Sequence, residues 1–200
     1  PEGLIDILGG DAAFISKLDS LFLVEGDMGE GASSDISGLI GQYAHGNEPS
    51  HHVAYLYNYL GKPWKCQKWI REIVDRFYGN EPGSLSGNDD CGQMSAWYMF
   101  AAMGFYPVCP GTPYYILASP SFPSFTLNLE SGKKFTVKAR NASQRNIYIQ
   151  SATLNGEPYT RNYITHQDIV NGGVMEFVMG DKPNKEWGAA AEDCPPTVIE

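Results

Sequence analysis

Positive charge is scarce in this sequence. Lys and Arg number 14 against 23 Asp and Glu in 200 residues, a formal net charge of −9 with a pI near 4.9. A nucleic-acid backbone or an anionic membrane demands clustered Lys and Arg, so both are excluded as the main partner, whereas neutral polyols stay compatible. Long apolar runs are also missing: nothing reaches the roughly 20 residues that cross a bilayer. The four cysteines, Cys66, Cys91, Cys109 and Cys194, include no CxxC pair. That excludes a zinc ribbon and a thioredoxin-type redox motif, and leaves one disulfide open beside the plainer reading of buried free thiols. No nucleophile elbow and no phosphate-binding glycine loop occurs, so covalent serine chemistry and nucleotide use have no support. There is no internal repeat or low-complexity tract. Residues Pro1-Glu2-Gly3-Leu4-Ile5 supply neither an initiator Met nor a basic stretch before an apolar one. The chain is therefore expected to be part of something longer, with any export signal outside it.

What is present is an ordinary globular composition, 42% hydrophobic and 18% charged, enough for one large domain or two small ones. The 12% aromatic content, with four Trp and twelve Tyr, suits sugar recognition, because flat rings cover the apolar faces of pyranoses, as well as plain core packing. Up to about residue 106 the apolar spacing is helical. Asp11 heads a stripe of Phe14, Ile15, Leu18, Leu21 and Phe22. A loop over 26–34 and a short helix over 35–43 are expected next. Asn47 as a cap and Pro49 in the first turn begin a helix with Val53, Leu56, Tyr57 and Leu60, stopped by Gly61. Pro63 begins another with Cys66, Trp69, Ile70, Ile73, Val74 and Phe77, ended by Gly79. Asp89 or Asp90 would cap a further helix carrying Met94, Trp97, Tyr98, Ala101 and Phe105, closed by Gly104 and Pro107. Beyond Pro107 the period becomes two. Strands are expected over 114–118, 125–129, 135–139, 147–154 and 175–179, with turns at Ser131-Gly132-Lys133, Asn155-Gly156 and Asn171-Gly172-Gly173. The expected architecture is α+β: a helical region over 1–107, then an antiparallel β-sandwich-like region over 108–200 with an irregular tail from Asp181.

Two constellations carry chemistry. Gly87-Asn88-Asp89-Asp90-Cys91-Gly92 places adjacent carboxylates at the mouth of a helix. Unpaired amides and a partial positive charge there favour the anion, which serves either as a cap or as a general base for water; a general acid would need apolar burial. Two carboxylates exceed what capping requires. The second constellation, His45-Gly46-Asn47-Glu48-Pro49-Ser50-His51-His52, packs three imidazoles, a carboxylate and a carboxamide into eight residues at another loop-to-helix entry. It lacks the HExxH spacing of a zinc protease. Asn47 and Glu48 oxygens suit a hard cation such as calcium, or sugar hydroxyls, and the plain alternative is capping with ordinary histidine hydrogen bonds. Asn141-Ala142-Ser143 forms a glycosylation sequon, meaningful only in a eukaryotic secreted chain. His166 is expected to be a satisfied structural histidine.

At these motifs the sequence resembles the carboxy-terminal part of bacterial α-mannosidases of glycoside hydrolase family 92. The resemblance rests on Gly41-Gln42-Tyr43-Ala44 continuing into the His45 to His52 cluster, on Tyr55-Leu56-Tyr57-Asn58-Tyr59 with Lys62-Pro63-Trp64, and on Gly87 through Gly111; it continues more loosely at Leu154-Asn155-Gly156 and Ile164-Thr165-His166. It implies an (α/α)6 barrel of which residues 1–107 form part, and a secreted or periplasmic, calcium-dependent exo-enzyme that cleaves terminal α-mannosides of glycans with inversion. By motif position it implies Asp90, with Asp89 beside it, as the catalytic base. His45, Glu48 and His52 become mannose contacts and Asn47 a calcium ligand; a calcium on the sugar O2 and O3 would help to distort the ring. Some members carry an acidic residue where Asn88 stands; where a pair of carboxylates shares the base role in those, this chain has Asp90 with Asp89. Some α-1,2-active members have His-Glu where this chain has His45-Gly46, so linkage is open. The catalytic acid is expected upstream, along with the rest of the barrel, and the isolated chain is expected to be inactive. The rival readings are a non-catalytic carbohydrate-binding or structural module, and a glucosyl-specific hydrolase or phosphorylase on the same barrel.

Overall fold

The computed structural model describes residues 1–25 and 36–197. Helix α1 (Glu2–Leu8), absent from the sequence-based expectation, ends at Gly9, whose φ of +93° only glycine adopts freely. Helix α2 (Asp11–Leu23) buries Phe14, Leu18 and Phe22 of its expected stripe, with Gly10 rather than Asp11 at its N-cap. The loop expected over 26–34 lies outside the described residues. The helix expected over 35–43 is corrected: from residue 36 the chain turns into a hairpin of β1 (Leu39–Ile40) and β2 (Tyr43–Ala44). Gly41 in its turn has φ +58°, and a Cβ there would lie 2.7 Å from the Phe22 carbonyl. Gln42 N–H donates to Leu21 O at 2.8 Å, so the hairpin docks on the C-terminal end of α2, where carbonyls lack helical partners.

The segment after Asn47 is not one helix either. Two 3₁₀ turns, Glu48–Ser50 and Val53–Tyr55, precede the single turn α3 (Leu56–Tyr59). Helix α4 (Pro63–Phe77) starts at Pro63 as expected and buries Cys66, Trp69, Ile70, Ile73 and Val74. Helix α5 (Gln93–Met103) buries Met94, Trp97, Ala101 and Ala102 and ends at Gly104, φ +91°. Phe105, placed on its stripe by spacing, belongs instead to β3 (Phe105–Tyr106).

Beyond the irregular stretch at 107–113 come β4 (Tyr114–Leu117), β5 (Ser124–Asn128), β6 (Lys134–Arg140), β7 (Tyr148–Leu154), β8 (Glu157–Pro158), β9 (Tyr163–Thr165), α6 (His166–Val170) and β10 (Gly173–Gly180). Strands β4, β5, β6, β7 and β10 coincide with the five expected; β8, β9 and α6 were too short to leave a periodic signal. They form a sheet of order β5-β6-β10-β7-β8 and a three-stranded sheet β3-β4-β9. The expectation of a wholly antiparallel region is corrected at one pair, because β10 runs parallel to β6. Parallel neighbours need a crossover, and the excursion through β9 and α6 supplies it.

Two apolar clusters hold the molecule. In the second, Phe135, Val137 and Ala139 of β6 and Met175, Phe177 and Met179 of β10 alternate inward to meet Phe105, Leu117 and Ile164 of the smaller sheet and Trp187 of the tail. The tail beyond Asp181 is irregular, as expected, yet packed: Trp187 Nε1 donates to Tyr159 O at 3.1 Å. The first cluster unites α2, α3 and α4 with Trp97, and it takes in Ile116, Ala118 and Tyr163 from beyond residue 107. Each such large buried side chain contributes about 1.5–3 kcal/mol. Polar joints reinforce the seam: Asn58 Nδ2 donates to Leu117 O and Asn162 O at 2.9 and 3.0 Å, and Ile149 N–H donates to Gln67 Oε1 at 3.0 Å. All four cysteines are free, and only Cys66 is buried, so the reading of buried thiols holds for that residue alone. Among the described residues no helix is long and apolar enough to cross a membrane.

Candidate active site

The acidic turn is built from left-handed backbone. Gly87, Asp89, Cys91 and Gly92 have φ of +83°, +52°, +53° and +77°, a conformation that costs a non-glycine residue about 1–3 kcal/mol and persists only where the surroundings impose it. Asp89 is held by Ser95: its carboxylate accepts the Ser95 N–H at 2.9 Å and the Ser95 hydroxyl at 2.8 Å. These bonds, the backbone one first, hold its carboxyl below the usual range, although the residue is no more than half-buried. Asp89 therefore satisfies a free amide in the first turn of α5 from six residues upstream, although Gly92 stands at the N-cap. Asp90 begins the 3₁₀ turn that leads into α5 and is exposed; its carbonyl accepts the Gln93 N–H, while its carboxylate engages no hydrogen bond or ion pair among the described residues. The carboxylates that sequence alone could not tell apart have been sorted by the fold.

The histidine-rich loop lies directly against this turn. A Cβ on Gly87, whose φ is +83°, would fall 2.6 Å from Gly46 O, so that position admits only glycine, while one on Gly46 would displace the Ser37 hydroxyl. Gly46 N–H donates to Ser37 O and His45 N–H to Gly38 O, each at 3.0 Å, which seats the loop on the strand-flanking segment. On its outer side Asn47 and His52 are exposed and Glu48 is half-buried. Asn47 precedes a 3₁₀ turn without making a side-chain cap, so the expected capping role is not realised.

His45 departs from its expected place among sugar contacts, because it is 0% exposed. Tyr78 donates its single proton to Met94 O at 3.2 Å, so His45 Nε2–H donates to Tyr78 Oη at 2.7 Å and His45 Nδ1 accepts from Tyr43 at 2.9 Å. Burial first, then the neighbouring His51, lowers its pKa to about 3 and keeps the ring neutral. Trp97 meets its edge at 4.3 Å and His51 stacks on it at 4.7 Å. His51, also buried, donates from Nε2 to His45 O and accepts at Nδ1 from Gln93 Nε2, both at 3.1 Å. Tyr43, Tyr78, His51, Gln93 and Trp97 thus organise the site, and sequence reasoning missed that role. Membership of the stretches that carry the family resemblance was the signal for Tyr43, His51, Gln93 and Trp97; Tyr78 lies outside them, and no periodicity singles out a buried polar residue. His166 bonds Tyr115 Oη at 3.2 Å through Nδ1 and stands apart from the site.

Beside the turn a cavity of about 380 Å³ opens between Asn80, Glu81 and Pro82 on one side and Ser95, Tyr98 and Met99 on the other. Among the described residues no group of three or more His, Cys, Asp or Glu could hold a metal ion. Asn47 and Glu48 offer hard oxygen donors, fewer than the about 6–8 oxygen ligands that calcium takes.

The chain is similar to known proteins along nearly its whole length. The family description "Glycosyl hydrolase family 92 catalytic domain" matches residues 1–181. A family GH92 α-mannosidase of Bacteroides thetaiotaomicron, solved in complex with mannoimidazole, superposes with a TM-score of 0.91 at 51% identity, over 94% of this chain and 25% of that one. A family GH92 inverting mannosidase of B. thetaiotaomicron VPI-5482 has a TM-score of 0.85 at 41% identity, over 98% of this chain and 28% of that one. A protein of Arthroderma benhamiae described as an uncharacterized secreted glycosidase is 35% identical over 198 residues, 98% of this chain and 23% of that protein. The chain thus spans about a quarter of the length of these relatives, and over nearly all of its own length it belongs to glycoside hydrolase family 92.

Proposed function

We propose that the protein containing this chain is a secreted or periplasmic exo-acting α-mannosidase that works with inversion, and that this chain supplies the general base, Asp90. The observation that carries the reading is the division of labour in the acidic turn: Asp89 is committed to Ser95, while Asp90 is exposed with its carboxylate unengaged among the described residues. A base that must bind and deprotonate water needs a carboxylate free of protein donors. In an inverting hydrolysis that water attacks the anomeric carbon from the face opposite the leaving oxygen, which an acid protonates some 6.5–9.5 Å away. That acid and the remainder of the barrel belong to the rest of the protein.

Glu48 and His52, on the outer side of the abutting loop, are proposed to hold mannose hydroxyls, with His45 behind them as internal support. Asn47 is proposed as one oxygen ligand of a calcium ion whose other ligands lie elsewhere. Such an ion would supply electrostatic stabilisation of the sugar, and no step above depends on it. The linkage cleaved stays open, because Gly46 replaces the Glu found in some α-1,2-active relatives.

The test is to assay the complete protein, wild type and Asp90→Asn, on linkage-defined mannobioses with and without calcium, following the anomer released. Loss of about 10²–10⁴-fold in kcat is expected, the usual worth of a general base. Unchanged turnover by the variant would remove Asp90 from the mechanism.

A further inference from the structure

We infer that His51 and Gln93 form a positioning pair that holds the Asp90 turn at a fixed distance from the Glu48 loop, an inference that rests on the reading of Asp90 as the base. His51 is 1% exposed and its polar groups reach into both segments. Its Nε2–H is donated to His45 O within its own loop, and its Nδ1 accepts from Gln93 Nε2, each at 3.1 Å. Its carbonyl accepts Trp97 Nε1–H at 3.0 Å. Gln93 and Trp97 lie four residues apart on one face of α5, so a single residue of the loop grips the first turn of that helix at both ends. Gln93 Nε2 also donates to Tyr106 Oη at 3.3 Å, which orients the amide.

Gln93 is the first residue of α5, three positions after Asp90. Between them Cys91 and Gly92 are left-handed, and this short link is closed only by the turn bonds from Gly92 N–H to Asp89 O and from Gln93 N–H to Asp90 O. Asp90 itself has no side-chain partner among the described residues. Its place is therefore set by its neighbours' anchors: Asp89 on Ser95 fixes the turn to its own helix, and Gln93 on His51 fixes it to the opposite loop. The first anchor cannot set the spacing between loops; the second does, beside the backbone contact of Gly87 with Gly46. A base displaced by about 1 Å from its water costs on the order of 100-fold in rate.

The complete protein tests this with Gln93→Leu, His51→Gln and the double variant, beside Asp90→Asn. His51→Gln keeps a donor and an acceptor, but on a flexible chain that no longer fixes them as the ring does; Gln93→Leu, a less buried change, serves if the first does not fold. Each single variant is expected to lower kcat about 10- to 100-fold with KM within about twofold, and the double to be no slower than the slower single. Amide hydrogen exchange over residues 88–92 should quicken in both while α4 is unaffected. Unchanged kcat with Gln93→Leu, additive losses in the double, or a fall confined to the folded fraction with turnover per folded molecule intact would each overturn the pair while leaving Asp90 standing. Full activity of Asp90→Asn would overturn the base assignment and this inference with it.

Discussion

Asp89 and Asp90 are adjacent in sequence and live in opposite surroundings. Asp89 accepts two bonds from Ser95, which lower its pKa from an ordinary 3.8. A carboxyl with a depressed folded-state pKa contributes stability that is present above 3.8 and lost as pH falls through the folded value. Asp89→Ala should accordingly lower the unfolding midpoint at neutral pH, with the gap to wild type closing in acid; thermal scans across that range check it. His45 carries a larger signature. Its ordinary value of 6.5 drops to about 3 in the fold. Between those values the unfolded chain binds a proton that the folded chain refuses, so stability is full above 6.5 and declines as pH falls toward 3. His45→Asn should be less stable at neutral pH and show a shallower decline across the window, read from urea midpoints. Sequence spacing made both residues candidates. It could not assign them, because capping by Asp89 runs to a residue six positions on, and the burial of His45 depends on Tyr78 and Trp97 from other elements.

The elements depend on glycine at their contacts. Gly87 holds φ +83° with its Cα facing Gly46, whose oxygen would lie 2.6 Å from an added Cβ. Gly87→Ala should cost about 1–3 kcal/mol from the backbone conformation alone and should also push the acidic turn from the histidine loop. Denaturant melts measure the first, and mannosidase turnover of the complete protein the second. Helices α2 and α4 were legible because each carries an apolar stripe over three or more turns, and the five longer strands because their period is two. The hairpin at residues 39–44 was not: six residues hold too little periodicity to separate helix from strand. Docking on α2 through Gly41 settled the matter.

At the scale of the whole molecule, the helical and sheet regions are welded rather than tethered. Asn58 and Asn162 exchange bonds with each other's carbonyls at 3.0 Å, and Asn162 Nδ2 also reaches Gly188 O at 2.7 Å. Asn58→Leu would take its donor from the buried Leu117 carbonyl, at about 1–3 kcal/mol, while Asn162 O keeps the Leu117 N–H at 3.0 Å; a lowered urea midpoint, with helical and sheet signals still lost together, is the expected outcome. The chain is also a quarter of its relatives, and its exposed apolar residues include Ile7 at 82%, Leu23 at 63% and Met99 at 58%. The isolated chain should release no mannose from an α-mannoside. EDTA-sensitive release by the purified chain would contradict the proposal that the acid lies elsewhere in the protein.

Residue identity by itself determined the family and the α+β class, since dense local motifs and short-range periodicity are properties of neighbours in the chain. Only tertiary structure decided which aspartate caps and which stays free, that His45 is internal, and that His51 joins the two motifs. Burial, hydrogen-bond partners and backbone contact arise between residues such as His51 and Gln93, 42 positions apart, and no spacing rule reaches that far.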